Sequence, residues 1–453
     1  MNIQNIILKL KNKHFLSLLG NGSMSVLAML TVSILLRNML PGEIGYWFFF
    51  QSVFVLLDTF RVGFLQIAMI KFYTGAEKSR ADTVLGSVWF LSLLITGTLV
   101  GVNIIAALFL PLIDSNNIGI ISIIKWFGIT FLFTLPSAIA SWISQSDERF
   151  DRLLLLRFIT QGAFIIMVLL VIFFMKLSLD MLLIINALSS GIVSLYCIFR
   201  GWTRLSTLSK RTKESIMELF HFGKYSVGTT ISTNLLRSSD TFIIMSVLGA
   251  AGPAAVTMYT VPMRLMEIIE IPLRSFLSTA MPSMSGAFNR GNKIEVVEIM
   301  QKYAGTLTLA LFPVSVVAIV FADFAITLLG GKQYSGTNAV VVYRILMSFA
   351  LFFPIDRFLG ITLDIIHQPK INFYKVLVML AINVSFDYIG IYIFGNIVGV
   401  GLATLFTFLS GVAFGYYWLR KYLDFTLFGF FKTGFIEIRM ILQEYVFKNK
   451  TVG

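Results

Sequence analysis

Charged side chains stand inside long apolar runs of this sequence, and their spacing is helical. Asp58 and Arg61 are three residues apart, as are Arg237 and Asp240. Arg264, Glu267, Glu270 and Arg274 share a later run, and Arg344, Asp356, Arg357 and Asp364 another. Residues three or four apart occupy one helix face. At about 100° per residue, the four charges from 264 to 274 lie within an arc of roughly 120°. Two chemistries suit such sets. Guanidinium forks match the oxygens of a phosphate group, so Arg61, Arg237, Arg264, Arg274 and Arg357 are candidates to hold an anionic headgroup. The carboxylates of Asp58, Asp240, Glu267, Glu270, Asp356 and Asp364 would balance those arginines or take up a proton or a sodium ion. The competing reading makes each same-helix pair a structural ion pair.

The surroundings of these charges make them costly. The chain has 453 residues, 57% of them hydrophobic and 13% charged, with a mean hydropathy of +0.84. Soluble domains carry about twice that share of charge. Hydrocarbon supplies no hydrogen-bond partner, so only helices or closed barrels can span it. Barrel strands alternate apolar and polar residues; the long continuous apolar runs here predict helices. Runs near the crossing length of about 20 residues fall at 15–37, 44–72, 83–111, 117–144, 153–175, 178–200, 222–249, 254–286, 300–330, 335–366, 371–394 and 397–419. The first is too long for the core of a secretory leader and is read as a span. Pro136, Pro262, Pro272, Pro313 and Pro354 fall inside runs and mark kink sites. A charge at mid-bilayer costs about 2.5–3.5 kcal/mol on insertion scales. Such residues must therefore face a partner or a wet cavity. They concentrate in spans two, seven, eight and ten, which points to the walls of one polar cavity. Lys125 and Arg157 lie near span ends, where long side chains reach the interface.

The loops set the orientation. With the N-terminus inside, 25 lysines and arginines fall in cytoplasmic segments, against Arg37, Lys176 and Lys332 on the other side. That bias obeys the positive-inside rule at every loop and predicts about twelve helices with both termini cytoplasmic. The net charge of +13 thus belongs to short loops and not to a nucleic-acid-binding domain. The densest basic cluster, in 201–221, separates an N-terminal lobe (1–200, spans one to six) from a C-terminal lobe (222–424, spans seven to twelve). Residues 425–453 form a tail in which Phe alternates with charge; it is read as an interfacial cytoplasmic helix, with a thirteenth span as the alternative. The single Cys197 permits no disulfide within the chain, and His14, His221 and His367 form no metal motif. No cofactor is expected.

The two lobes run the same way, which predicts parallel repeats about an axis along the membrane normal. A spacing echoes the repeat. Arg61 stands fifteen residues past Tyr46, after the turn at 40–43, and Arg274 stands fifteen past Tyr259, after the turn at 250–253.

Segment 33–73 resembles the first-to-second span region of bacterial polysaccharide repeat-unit flippases, which serve O-antigen, capsule and exopolysaccharide assembly. Segment 226–285 resembles their seventh and eighth spans, with Asp240, Leu248-Gly249, Tyr259, Arg264-Leu265 and Pro282 in the places of that pattern. These flippases belong to the multidrug/oligosaccharidyl-lipid/polysaccharide exporter superfamily. The resemblance implies two six-helix lobes of the multidrug-exporter (MATE-like) type around a cavity lined by spans one, two, seven and eight, working by alternating access in the bacterial cytoplasmic membrane. It implies an undecaprenyl-diphosphate-linked oligosaccharide as substrate, membrane lipids as surroundings, and polysaccharide polymerase or assembly proteins as partners. In that setting Arg61, Arg237, Arg264 and Arg274 would neutralise the diphosphate while the lipid tail stays in the bilayer. The alternative is an exporter of small molecules driven by H+ or Na+, with Asp58, Asp240, Glu267 and Glu270 as cation sites. A membrane-embedded polymerase or glycosyltransferase is disfavoured, since outer loops such as 112–116 and 250–253 are too short to carry a catalytic surface.

Overall fold

Apolar runs of this length must close their own backbone hydrogen bonds. The computed structural model describes residues 13–112 and 117–450, and these contain helices and turns but no strand. Each expected span falls on a helix or on a closely spaced helical group. The helices are α1 (Lys13–Asn38), α2 (Pro41–Arg61), α3 (Ile67–Tyr73), α4 (Lys78–Leu108), α5 (Ile118–Ser146), α6 (Phe150–Phe174) and α7 (Leu179–Phe199). They continue with α8 (Lys213–Val247), α9 (Gly252–Asn289), α10 (Lys293–Val320), α11 (Ala322–Gly330), α12 (Asn338–Phe349) and α13 (Phe352–Ile365). The last three are α14 (Pro369–Phe394), α15 (Ile397–Leu419) and α16 (Leu427–Lys450). Among the described residues, eight helices are long and apolar enough to cross a bilayer, and nine if the bent pair α12–α13 counts as one span. The long helices α8 and α9 fall short of that measure because charges and hydroxyls dilute them.

Cα packing separates two compact units, one ending at Ser238 and the other beginning at Ser239, so α8 starts in the first and ends in the second. In the first unit the core gathers Leu65, Met69, Val88, Trp89, Leu135, Trp142 and Leu219 from α3, α4, α5, α8 and the segment that joins α2 to α3. That joining segment, Val62–Gln66, is a π-helical turn directly after Arg61. A π turn inserts one residue into the helical ladder and re-aims the side chains beside it. The basic linker folds onto the first unit as a 3-10 turn over 205–210. The Trp89 indole donates to Thr203 O at 2.9 Å, and Lys210 pairs with Asp82 at 2.7 Å.

In the second unit, α9 runs unbroken through Pro262, Pro272 and Pro282, and α10 through Pro313. In the first unit, α5 likewise continues through Pro136. The sharp bend comes between α12 and α13, at 55°, just before Pro354. Pro354 has no N–H to close a helical turn onto Ala350, and Thr308 of α10 turns its hydroxyl to Leu351 O at the break. The ninth run, expected to be continuous over 300–330, is α10 followed by the separate short helix α11. The tail helix α16 packs along α10. There Lys302 pairs with Glu437 at 2.6 Å, and Gln301 donates to Thr426 O at 3.2 Å.

Candidate substrate and cation sites

A buried polar cluster lies in the second unit. Along α14, Lys375, Met379, Asn383, Asp387 and Ile391 recur every four residues, which places them on one helix face, and all are buried. Asp387 is fully buried, and neither of its carboxylate oxygens meets a donor among the described residues. It lies against Asp240, near the end of α8. The Tyr259 hydroxyl of α9 donates to Asp240 Oδ2 and sits 3.3 Å from Thr404 Oγ1 of α15. Ser239 donates to Asn383 Oδ1 at 2.6 Å. Asp240 Oδ1 is also without a donor. Beyond Asp387, α14 and α15 meet closely at a pair of glycines. A Cβ on Gly399 would stand 2.2 Å from the Gly390 backbone.

Two opposed carboxylates in an apolar interior require a positive counter-charge. Carboxylate, hydroxyl and amide oxygens are hard donors, suited to a proton or an alkali cation. Among the described residues, no group of three or more His, Cys, Asp and Glu side chains is arranged to hold a metal ion.

Three turns along the same face of α14, Lys375 Nζ lies 2.5 Å from Asp356 Oδ1 and donates to Asp356 O at 3.0 Å. Both residues are buried. Asp356 belongs to α13, just beyond the bend. Gly411 of α15 leaves the room its carboxylate fills, since a Cβ there would stand 2.5 Å from Asp356 Oδ1. Asp364, further along α13, accepts from Asn372 Nδ2 at 2.9 Å. Lys375 is therefore part of the interior of the second unit, although the count of basic residues by loop takes it as cytoplasmic.

The third arrangement is a strip on α9. Arg264 Nη1 pairs with Glu267 Oε1 at 2.7 Å, and Arg274 Nη2 with Glu270 Oε2 at 2.6 Å. Their side chains keep 33% and 50% exposure in the first pair and 68% and 26% in the second. Arg61, by contrast, is fully buried in the first unit. It binds Asp58 at 2.6 Å and donates to Thr134 Oγ1 at 3.0 Å and to Phe131 O at 3.3 Å. Its guanidinium stacks 4.3 Å from the Phe131 ring centre. The expected pairing of residues three or four apart thus forms at 58/61, 264/267 and 270/274. Asp240 turns to Tyr259 and Asp387, and Arg237 is exposed. Arg357 is half-buried and meets no carboxylate among the described residues. Arg344 donates to Ile319 O at 3.4 Å.

Asp387, Asn383 and Lys375 were not among the sequence candidates. Their one signal was the four-residue recurrence of polar types along an otherwise apolar run.

The curated proteins contain no sequence match to this chain. Its fold matches solved transporters at low identity. One is an inward-facing multidrug resistance MATE family transporter of the MOP superfamily, 14% identical, with a TM-score of 0.73, covering 88% of this chain and 94% of that one. Another is the lipid II flippase MurJ in an inward closed conformation, 17% identical, with a TM-score of 0.72, covering 94% of this chain and 92% of that one. A third is a MOP superfamily transporter from Pyrococcus furiosus, 15% identical, with a TM-score of 0.62, covering 90% and 94% respectively. The likeness shows a MOP-type transporter fold. The family model described as polysaccharide biosynthesis protein matches residues 34–339. With that match spanning well over half its length, the chain belongs to the polysaccharide biosynthesis protein family, built on the all-helical fold of the MOP transporters.

Proposed function

We propose that this protein carries a lipid-linked oligosaccharide across the bacterial cytoplasmic membrane by alternating access. The expected cargo is an undecaprenyl-diphosphate-linked repeat unit destined for a surface polysaccharide. The observation that carries this reading is the α9 strip. Four charges stand in the interior of a membrane helix, each still partly exposed. Hydrocarbon would not tolerate them, so their exposed faces belong to water. Arginines paired along one helix give a diphosphate a place to exchange partners. The glutamates release the guanidiniums when a stronger bidentate anion arrives. Arg264 and Arg274 are the principal ligands in this account. Arg237 and Arg357 are the next candidates. Arg61, with its donors occupied inside the first unit, serves the lobe's architecture.

The Asp240–Asp387 cluster supplies the drive. Loading with a proton or a sodium ion neutralises the pair, and release restores the repulsion between α8 and α14. The same cluster also favours the second reading, a cation-driven exporter of small molecules. Deleting the protein from its host separates the two. Accumulation of the lipid-linked repeat unit on the inner leaflet, with loss of surface polysaccharide, supports the flippase. Intact polysaccharide with altered drug susceptibility supports the exporter.

A further inference from the structure

Four cations around the linker of the first unit are already neutralised, and Arg211, which meets no carboxylate among the described residues, donates to Leu208 O at 3.1 Å and lies over the Phe90 ring. Arg80 pairs with Glu218, Arg149 with Asp151 at 2.7 Å, Arg204 with Asp147 at 2.8 Å and Lys210 with Asp82 at 2.7 Å. Arg204 and Lys210 line a cavity of about 410 Å³ beside the linker, but their charge is spent on those carboxylates. Arg152 and Arg200 differ in sharing one aromatic partner. Among the described residues neither meets a carboxylate, and both converge on one ring. The Arg152 guanidinium stands 5.1 Å from the Trp202 ring centre and that of Arg200 stands 5.8 Å from it.

The backbone builds this arrangement. α7 ends at Phe199, and Gly201 takes a positive φ of 66°. The Trp202 amide then bonds back to Cys197 O at 2.9 Å. That turn folds the indole onto α7, edge-on to Tyr196 at 5.5 Å, and against the start of α6, which carries Arg152. Trp202 is half-buried, so one part of the ring is packed and another is open.

Tryptophan at a span end sits at headgroup depth, and guanidiniums stacked on an indole are held with their forks pre-oriented. Two such forks without counter-charge, at the level of lipid phosphates, are complementary to a phosphodiester anion. We propose that Arg152 and Arg200, held over Trp202, form a binding site for the phosphate of an anionic phospholipid in the leaflet on the basic side of the membrane. The acyl chains would lie along α6 and α7, which expose Leu155, Leu195 and Phe199 nearby in sequence. The site is independent of the transported cargo, so it stands or falls apart from the flippase reading.

The test uses the full-length protein, purified and delipidated, titrated with phosphatidylglycerol and with phosphatidylcholine of the same chains. Phosphatidylglycerol should bind and raise the melting temperature, and phosphatidylcholine, whose choline cation offsets its phosphate, should do both more weakly. The double variant Arg152→Gln/Arg200→Gln should lose about thirty-fold in phosphatidylglycerol affinity, while Arg149→Gln, whose target is already paired with Asp151, should bind as the wild type does. Should the double variant fold poorly, Arg152→Lys/Arg200→Lys keeps the charges and removes the forks, and its affinity should still fall. Equal binding by wild type and both double variants overturns the proposal. So does inorganic phosphate matching the lipid's effect, because the site would then select free phosphate.

Discussion

Asp387 of α14 lies against Asp240 of α8, and neither carboxylate oxygen of Asp387 meets a donor among the described residues. The surrounding hydroxyls are committed to other acceptors, Thr404 to Val400 O among them. Tyr259 donates to Asp240, and Ser239 donates to Asn383. Two negative groups held together in an apolar interior need a positive counter-charge, and that requirement can link helix position to ion loading.

Asp387→Asn keeps the shape and removes one negative charge. Transport should be lost with the protein still in the membrane. Wild-type protein should gain about 2.7 kcal/mol of stability when the coupling cation is a hundredfold above its dissociation constant, and the variant should gain nothing. Melting temperatures across sodium and pH series read this directly. An equal gain in the variant would place the cation elsewhere.

Lys375→Met leaves the Asp356 carboxylate buried and alone. Breaking one side of a buried pair costs about 3–5 kcal/mol, so the purified variant should melt well below the wild type. Adding Asp356→Leu should restore most of the loss, because an apolar pair needs no counter-charge. A single variant as stable as wild type would mean that the pair does not hold α13 to α14.

Arg264→Ala and Arg61→Ala should fail in different ways. Arg264 is partly exposed on the strip of α9, so its loss should abolish surface polysaccharide at normal membrane levels of protein. Arg61 is buried, with its bonds to Asp58, Thr134 and Phe131 inside the first unit. Its loss should lower stability by about 3–5 kcal/mol and reduce protein levels. Immunoblots beside polysaccharide assays distinguish the two outcomes.

Asp323, at the start of α11, is held below the usual carboxylate range by the Gly336 amide and the Ser335 hydroxyl. A lowered folded value gives stabilisation that is complete above about pH 4 and is lost as pH falls through the folded value. Amide exchange at Gly336 should therefore lose protection only in strong acid. Asp323→Asn should show weaker protection already at neutral pH.

The helices were legible because continuous apolar runs, without the alternation of barrel strands, leave the helix as the backbone solution in a bilayer. Same-helix pairs were legible because a spacing of three or four residues is local. Asp387 was not, since its neighbour Asp240 lies far back in the sequence and no periodicity joins α8 to α14. Lys375 stands near the start of its span, close to Lys370, and so counts with the basic loop; only the fold brings Asp356 to it and makes its burial tolerable. The bend before Pro354 was marked by the proline, but the unbroken course of α9 through three prolines was not. An interior proline removes one hydrogen bond and kinks or breaks a helix, and the sequence alone does not say which; α9 continues.

Transport of the lipid-linked oligosaccharide depends on the α9 strip holding its diphosphate. The most direct measurement reconstitutes the purified protein in liposomes that carry a labelled undecaprenyl-diphosphate oligosaccharide and follows its movement between leaflets. Wild-type protein should equilibrate the label, and Arg264→Ala should reduce the rate to that of empty liposomes. Equilibration by the variant at the wild-type rate, or none by the wild type under an imposed sodium or proton gradient, would contradict it.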